Sequence, residues 1–491
     1  MLQVIQRDLV VPGTTRVVLV SLPGDGYDTR EAADSPFRVA LSGAGLNQDE
    51  VAYVLRSVDK DTHWAYVPSV LEPVALILVD MSQSQEARME RIRLSAVPVL
   101  KGVNLRKEAS ISVQDQTGTP MHVYALLEGL FLANYQFIRY KSGQDSQKHT
   151  LREIVLQGAL ISEPLLHRLR SVMKAVYLVR DLVNEPSSYL TARCMARHFS
   201  EMGAEAGFDV EVLEKEQISE LGMGGLLAVN QGSTEPPAFS VLTWKPHNAR
   251  NQQPVVLVGK GLVFDTGGLC LKPTASMDEM KSDMSGGAAV AGVLYALALT
   301  QSPVYVIGLV PSTDNRISAT AFTPGDIITM HDGTTVEMVN SDAEGRLILA
   351  DALSYARKFD PLLAVDIATL TGSATMAIGN IGVVAMGNAS REWMDALRQS
   401  GEQTYERIAE FPFWDEYAAW NKSHIADIKN SGKRSAGAIT AGKFLEHFTD
   451  YPYIHLDIAG PAYLDEPDGY RVRGGTGVGV RLLYDFIHRI I

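Results

Sequence analysis

Among the charges in two short stretches of this chain, four carboxylates and three cations have types and spacing that invite chemistry. The first stretch, GKGLVFDTGGLCLKPTASMDEMKSDMSGG from Gly259 to Gly287, carries Lys260, Asp265, Lys272 and Asp283. The second, NSDAEGRLILADAL from Asn340, offers Asp342 and Glu344 where a helix is expected to begin, with Arg346 on its first turn. If Asp265, Asp283, Asp342 and Glu344 surround a small volume, four anions are tenable only with cations among them. A divalent metal is the natural cation. Oxygen-rich sites suit magnesium, manganese or zinc, and two ions about 3.5 to 4 Å apart, bridged by shared carboxylates, activate a water between them. That is hydrolase chemistry. A plainer reading stands beside it: the helix dipole stabilises a carboxylate at its N-terminus by roughly 0.3 to 1 kcal/mol, so Asp342 reads equally as a cap and the other charges as surface ion pairs. Capping does not account for Glu344 and Arg346 together.

The elements around these stretches put them where ligands bind. GKG closes the apolar run PVVLVG (254–259), and open α/β sheets place sites outside the carboxyl ends of their strands. Glycines at 259, 261, 267 and 268 allow tight turns and close backbone approach. Further buried-strand candidates are VYVIGLV (304–310), LLAVDIATL (362–370) and YIHLDIAG (453–460). Helical patterns lie between them at GGAAVAGVLYALAL (286–299) and AEGRLILADALSYARKF (343–359), which is the βαβ rhythm of a mixed, largely parallel sheet. The first third alternates runs such as RVVLVSL (16–22) and VALILVD with a helical pattern from Glu86, again α/β texture. A polar stretch, Lys141 to His149, marks a boundary nearby, and the helical pattern from Pro164 to Val183 stops at NEP. The expected organisation is a smaller N-terminal α/β domain (1–160), a connecting helix (161–184) and a larger catalytic α/β domain (185–491).

Composition narrows the classes. The 491 residues are 46% hydrophobic and 21% charged, ordinary for a globular chain and too many for one core. A net charge of −13 repels polyanions, so DNA is not the default partner. Cys194 and Cys270 are too few for a disulfide framework. The start, MLQVIQRDLVVPG, lacks a basic segment followed by an apolar one, which makes the cytoplasm the expected address. The most apolar helical stretch, Ala288 to Leu299, falls short of the roughly 20 residues a membrane span needs and reads as a core helix.

Taken together, GKGLVFDTGG, the downstream LKP and KSDM, and above all NSDAEGRLILADAL resemble the signatures of the leucyl aminopeptidase family, the cytosol aminopeptidases. EGLFLANYQFIRYKS (128–142), NEPSSYLT (184–191), ATLTG (368–372), HLDIAGPAY (455–463) and GGTGVGVR (474–481) extend the likeness over most of the chain. The resemblance implies two divalent ions, manganese or zinc, one held by Asp265, Asp342 and Glu344 and the other by Lys260, Asp265, Asp283 and Glu344. It implies that Lys272 stabilises an oxyanion, that Arg346 holds a bicarbonate relaying protons, and that Met280, Asn340, Thr369 and Leu370 line the pocket for the first side chain. It further implies a homohexamer acting on peptides with a free N-terminus and a leucine-like first residue. Departures are mild: Ser341 stands where threonine is usual, and Asp314-Asn315-Arg316 replaces a more usual Glu-Asn pair.

Competing motifs fail on their own terms. A phosphate loop ending in GKG requires a glycine where Pro254 stands, and GGTGVG (474–479) misses the dinucleotide register. The eleven histidines form no H-x-x-x-H cluster. Some relatives in the family also bind DNA, which would require a basic stripe; RMERIRL with Lys101, Arg106 and Lys107 is the only modest candidate, and its ordinary reading is a solvated helix face.

Overall fold

The computed structural model describes residues 1–7, 13–22, 35–58, 62, 64–69, 72–433 and 435–491. Two compact units emerge, Met1–Met173 with Glu466–Val472, and Lys174–Asp465 with Arg473–Ile491. The division falls inside the long helix Glu163–Asn184. The polar stretch at Lys141–His149 is no boundary in itself, because strand Glu153–Gln157 follows it and pairs with both Gln3–Arg7 and Ser110–Asp115. Glu466–Val472, which the sequence placed with the second domain, belongs to the first unit: Tyr470 Oη donates to the buried Glu90 carboxylate there. Among the described residues, the first unit is built on a six-stranded sheet in which only Trp64–Val67 runs antiparallel to its neighbour.

The second unit carries the candidate site on a nine-stranded mixed sheet. Its centre is parallel. β1 (Val255–Gly259) lies between β3 (Val306–Asn315) and β4 (Leu363–Ala368), and β4 pairs in turn with β5 (Tyr453–Asp457). β2 (Gly261–Asp265) adds to β3 beyond the end of β1, with Asp265 opposite Asn315. These strands are buried on both faces, which is why they read as continuous rather than alternating apolar runs. α1 (Ser285–Leu299) is buried all round apart from its last residue, and α2 (Gly345–Ala356) is buried along its whole length. The combined stretch Thr274–Leu299 is longer than the apolar run counted from sequence and long enough to cross a membrane by length and composition, yet 94% of its most apolar window lies inside the fold. It is a core element.

Close backbone packing explains two glycines in this core. Gly286, at the start of α1, sits against the Ile367 carbonyl of β4 with no room for a Cβ, and a Cβ on Gly259 would lie 2.6 Å from the Gly286 carbonyl oxygen. The helix N-terminus is thereby pressed onto the ends of β1 and β4, where the charged side chains converge.

Candidate metal centre

All seven charged residues singled out by sequence meet at the ends of β1, β2 and β4. Lys260, directly after β1, donates to Asp283 Oδ1 at 2.8 Å and to the Thr369 carbonyl at 3.0 Å, and lies 3.2 Å from Glu344 Oε1. Lys272 lies 2.8 Å from Asp265 Oδ2 and 2.6 Å from Asp342 Oδ1. Oxygens of Asp265, Asp342 and Glu344 are all within 4.8 Å of one another. The two lysines divide the cluster, one bound among Asp283 and Glu344 and the other between Asp265 and Asp342.

The capping explanation fails for both helix-start carboxylates. α2 begins at Gly345, its N-cap is Glu344, and no side chain caps it. Glu344 instead turns into the cluster, where Oε2 is buried without a hydrogen-bond partner. An orphaned buried carboxylate oxygen is costly unless a donor or a cation reaches it. The donor set fits hard divalent ions: carboxylate oxygens dominate and one amine joins them.

Burial and mutual repulsion dominate the electrostatics. Desolvation pushes Glu344 up to about 7, with the Asp265 carboxylate adding to it. Burial likewise takes Asp283 to about 6 although Lys260 pulls it down, and raises Asp342 against the pull of Lys272. Desolvation works against the charge on Lys260 and Lys272, but the surrounding carboxylates outweigh it and hold both ammonium groups charged. In the metal-free chain the lysines are therefore the counter-ions. Arg346 is buried, which lowers its guanidinium to about 10 against the attraction of Glu344, Asp457 and Asp342. One of its nitrogens, Nη1, donates to the Asn430 carbonyl at 2.8 Å, while Nε is buried with no partner.

Contacts that the sequence reading did not foresee hold these groups in place. Asn315, at the end of β3, donates from Nδ2 to Asp265 Oδ1 at 2.9 Å and to the Ser341 carbonyl at 3.0 Å. Gly267 N–H donates to the same Asp265 oxygen at 2.8 Å, with φ at +82° and Asp342 Oδ1 only 2.8 Å from where a Cβ would stand. Ser341 donates to the Gly267 carbonyl at 2.7 Å and accepts from the Cys270 N–H, so serine makes both bonds in the place where threonine was expected. Asp457, ending β5, accepts from Leu370 N–H at 3.2 Å and from Thr371 Oγ1 at 2.7 Å. Of these, Asn315 and Ser341 stand out in the sequence as departures from the family pattern and Gly267 as one of four glycines, whereas Asp457 has no individual signal there.

The expected pocket residues lie alongside. Thr369 Oγ1 donates to Asp283 Oδ1 at 2.7 Å. Leu370 is half-buried against the main core, and Met280 is half-buried in the single turn Met280–Ser282 that leads into Asp283. Asn340, also expected there, accepts at Oδ1 from the Asp342 N–H at 2.9 Å.

Residues 177–484 match the model of the cytosol aminopeptidase family, catalytic domain, which is more than half of the chain. The chain belongs to the cytosol aminopeptidase family. It is 40% identical over 463 residues to a probable cytosol aminopeptidase of Syntrophotalea carbinolica, covering 92% of each chain. A probable cytosol aminopeptidase of Chlorobaculum tepidum is 44% identical over 382 residues, 74% of each. Among solved structures, a tomato leucine aminopeptidase variant superposes with a TM-score of 0.87 at 28% identity, covering all of this chain and 97% of that one. The bottromycin maturation enzyme BotP in complex with Mn gives 0.83 at 29%, covering 97% and 99%. As a cytosol aminopeptidase, this chain is a hydrolase of N-terminal peptide bonds, and the cluster of carboxylates and lysines is its candidate centre.

Proposed function

We propose that the chain is a two-metal aminopeptidase that prefers leucine-like apolar first residues. The observation that carries this reading is the buried, partnerless Glu344 Oε2 in a cluster of four carboxylates balanced only by lysines and one arginine. Asp265, Asp342 and Glu344 would hold one ion, and Lys260, Asp265, Asp283 and Glu344 the other, manganese or zinc in each. Bound there, the ions would supply Lewis acidity and a hydroxide nucleophile at neutral pH.

The chain's own side chains do the rest. Lys272 is the less buried of the two lysines and stands at the rim of the cluster, where its ammonium offers charge to an oxyanion forming on the scissile carbonyl. Arg346 presents an unpartnered Nε–H for an anion such as bicarbonate, placed to relay a proton. Lys260 must surrender its ammonium proton to act as a ligand, so ion uptake at that position releases a proton. Met280, Asn340, Thr369 and Leu370 frame the first side chain. The resemblance further supports a homohexamer, and relatives bearing the name cytosol aminopeptidase support a cytoplasmic address. No observation favours DNA as a partner over the net charge of −13.

A substrate panel tests the specificity. Leucine p-nitroanilide should outrun the aspartate analogue, since burying one apolar side chain is worth about 1.5 to 3 kcal/mol. N-acetyl-leucine p-nitroanilide should be inert, its amide nitrogen being a poor ligand. Equal rates for leucine and aspartate would end the leucine assignment.

A further inference from the structure

Asn430 is completely buried and lies some ninety residues from the stretch it serves. A small sheet brings it there: strand Ile428–Lys429 pairs in parallel with Thr335–Glu337, and the Asn430 N–H continues the ladder to the Glu337 carbonyl at 3.0 Å. Beyond that point the side chain takes over. Its Oδ1 accepts from Val339 N–H at 2.9 Å and from Asn340 N–H at 3.2 Å, while Nδ2 donates to the Asn340 carbonyl at 2.7 Å and to the Ala343 carbonyl at 3.4 Å. These bonds span the turn on which Asp342 sits, and Asn340, so anchored, accepts from the Asp342 N–H. The Asn430 carbonyl meanwhile takes Arg346 Nη1.

We infer that Asn430 is the positioning residue of this centre, fixing the Asp342 turn with its side chain and the Arg346 guanidinium with its backbone, so that ligand and proton-relay groups share one support. The inference rests on the reading of Asp342 as a metal ligand. A carboxamide is the group this position requires. Two backbone donors and two backbone carbonyls face one side chain, and aspartate, serine or alanine each leaves at least one buried backbone group unpaired. Supporting residues of this kind typically govern metal affinity by 10- to 100-fold.

The test compares wild type with Asn430→Ala and Asn430→Ser, all as full chains stripped of metal. Manganese affinity is measured by calorimetry, and amide exchange by mass spectrometry. Both variants should bind manganese 10- to 100-fold more weakly, and amides in 339–343 should exchange faster with the central sheet unchanged. With saturating manganese, kcat should remain depressed while KM for leucine p-nitroanilide stays near wild type. If alanine prevents folding, serine, which leaves room for one bond and a bridging water, carries the comparison. Unchanged manganese affinity in a folded variant overturns the inference, as does unchanged exchange at 339–343. Wild type that binds no divalent ion defeats the metal reading itself, and the exchange data then still decide whether Asn430 holds the turn.

Discussion

The side chain of Lys260 lies across the backbone of Gly345, so close that a Cβ there would stand 2.5 Å from Lys260 Cε and 2.7 Å from Nζ. The first residue of α2 is thus a glycine for the sake of a lysine reaching over it. Alanine favours a helix by up to about 1 kcal/mol over glycine, so Gly345→Ala should leave the melting temperature within a few degrees. It should nevertheless displace Lys260 from Asp283 and Glu344 and lower kcat at least about tenfold, since misplacing a reacting group by about 1 Å is costly. Full activity would mean that Lys260 has freedom the packing denies it.

Lys272 makes a different prediction, because in the metal-free chain it is the counter-ion of Asp265 and Asp342. Lys272→Met should reduce kcat by about 10²–10³ if the ammonium stabilises the oxyanion. It should also leave two facing carboxylates bare, so that added manganese raises the variant's melting temperature more than it raises that of wild type. A variant with normal kcat and raised KM would assign Lys272 to substrate binding instead.

Asp351 offers a pH test away from the charged cluster. It is buried in α2 and accepts from Leu226 N–H at 2.8 Å and His331 N–H at 3.0 Å; burial pushes its carboxyl up to about 7 although these backbone donors pull the other way. Unfolded, it returns to about 3.9. Between those values the folded chain keeps a proton that the unfolded chain has lost, so this group's contribution to stability falls as pH rises from about 4 to 7. Asp351→Asn cannot titrate. The melting temperature of wild type relative to the variant, measured in chelator at pH 5 and pH 8, should therefore drop at pH 8. A difference independent of pH would show that Asp351 stays ionised throughout.

Both the α/β class and the charged centre were legible because their signals are local. Strands buried on both faces write themselves as apolar runs, and those expected at 254–259 and 453–460 appear at Val255–Gly259 and Tyr453–Asp457. The octad around Asp342 concentrates several unusual residues in one helix start. The apolar run at 304–310 reads as ending at Val310, whereas β3 runs to Asn315, because PSTDN reads as a turn although all of it is buried. Supporting contacts had no such signal. Asn430 lies in a stretch, KNSGK, that reads as any polar loop, and its partners are set by the pairing of two short strands far apart in sequence. Likewise the glycines at 286 and 345 owe their identity to a carbonyl and a lysine brought in by the fold.

The most direct measurement of the central claim is ion stoichiometry coupled to turnover. Chelated, dialysed protein is titrated with manganese or zinc, bound metal is counted by mass spectrometry and hydrolysis of leucine p-nitroanilide is followed at each step, in parallel with Glu344→Gln. Two ions per chain should bind, with activity appearing as the second site fills. The variant should bind fewer and remain nearly inactive while folded, because Glu344 is assigned to both sites. Undiminished hydrolysis by protein shown to be metal-free, or wild-type activity in Glu344→Gln, would contradict the binuclear account.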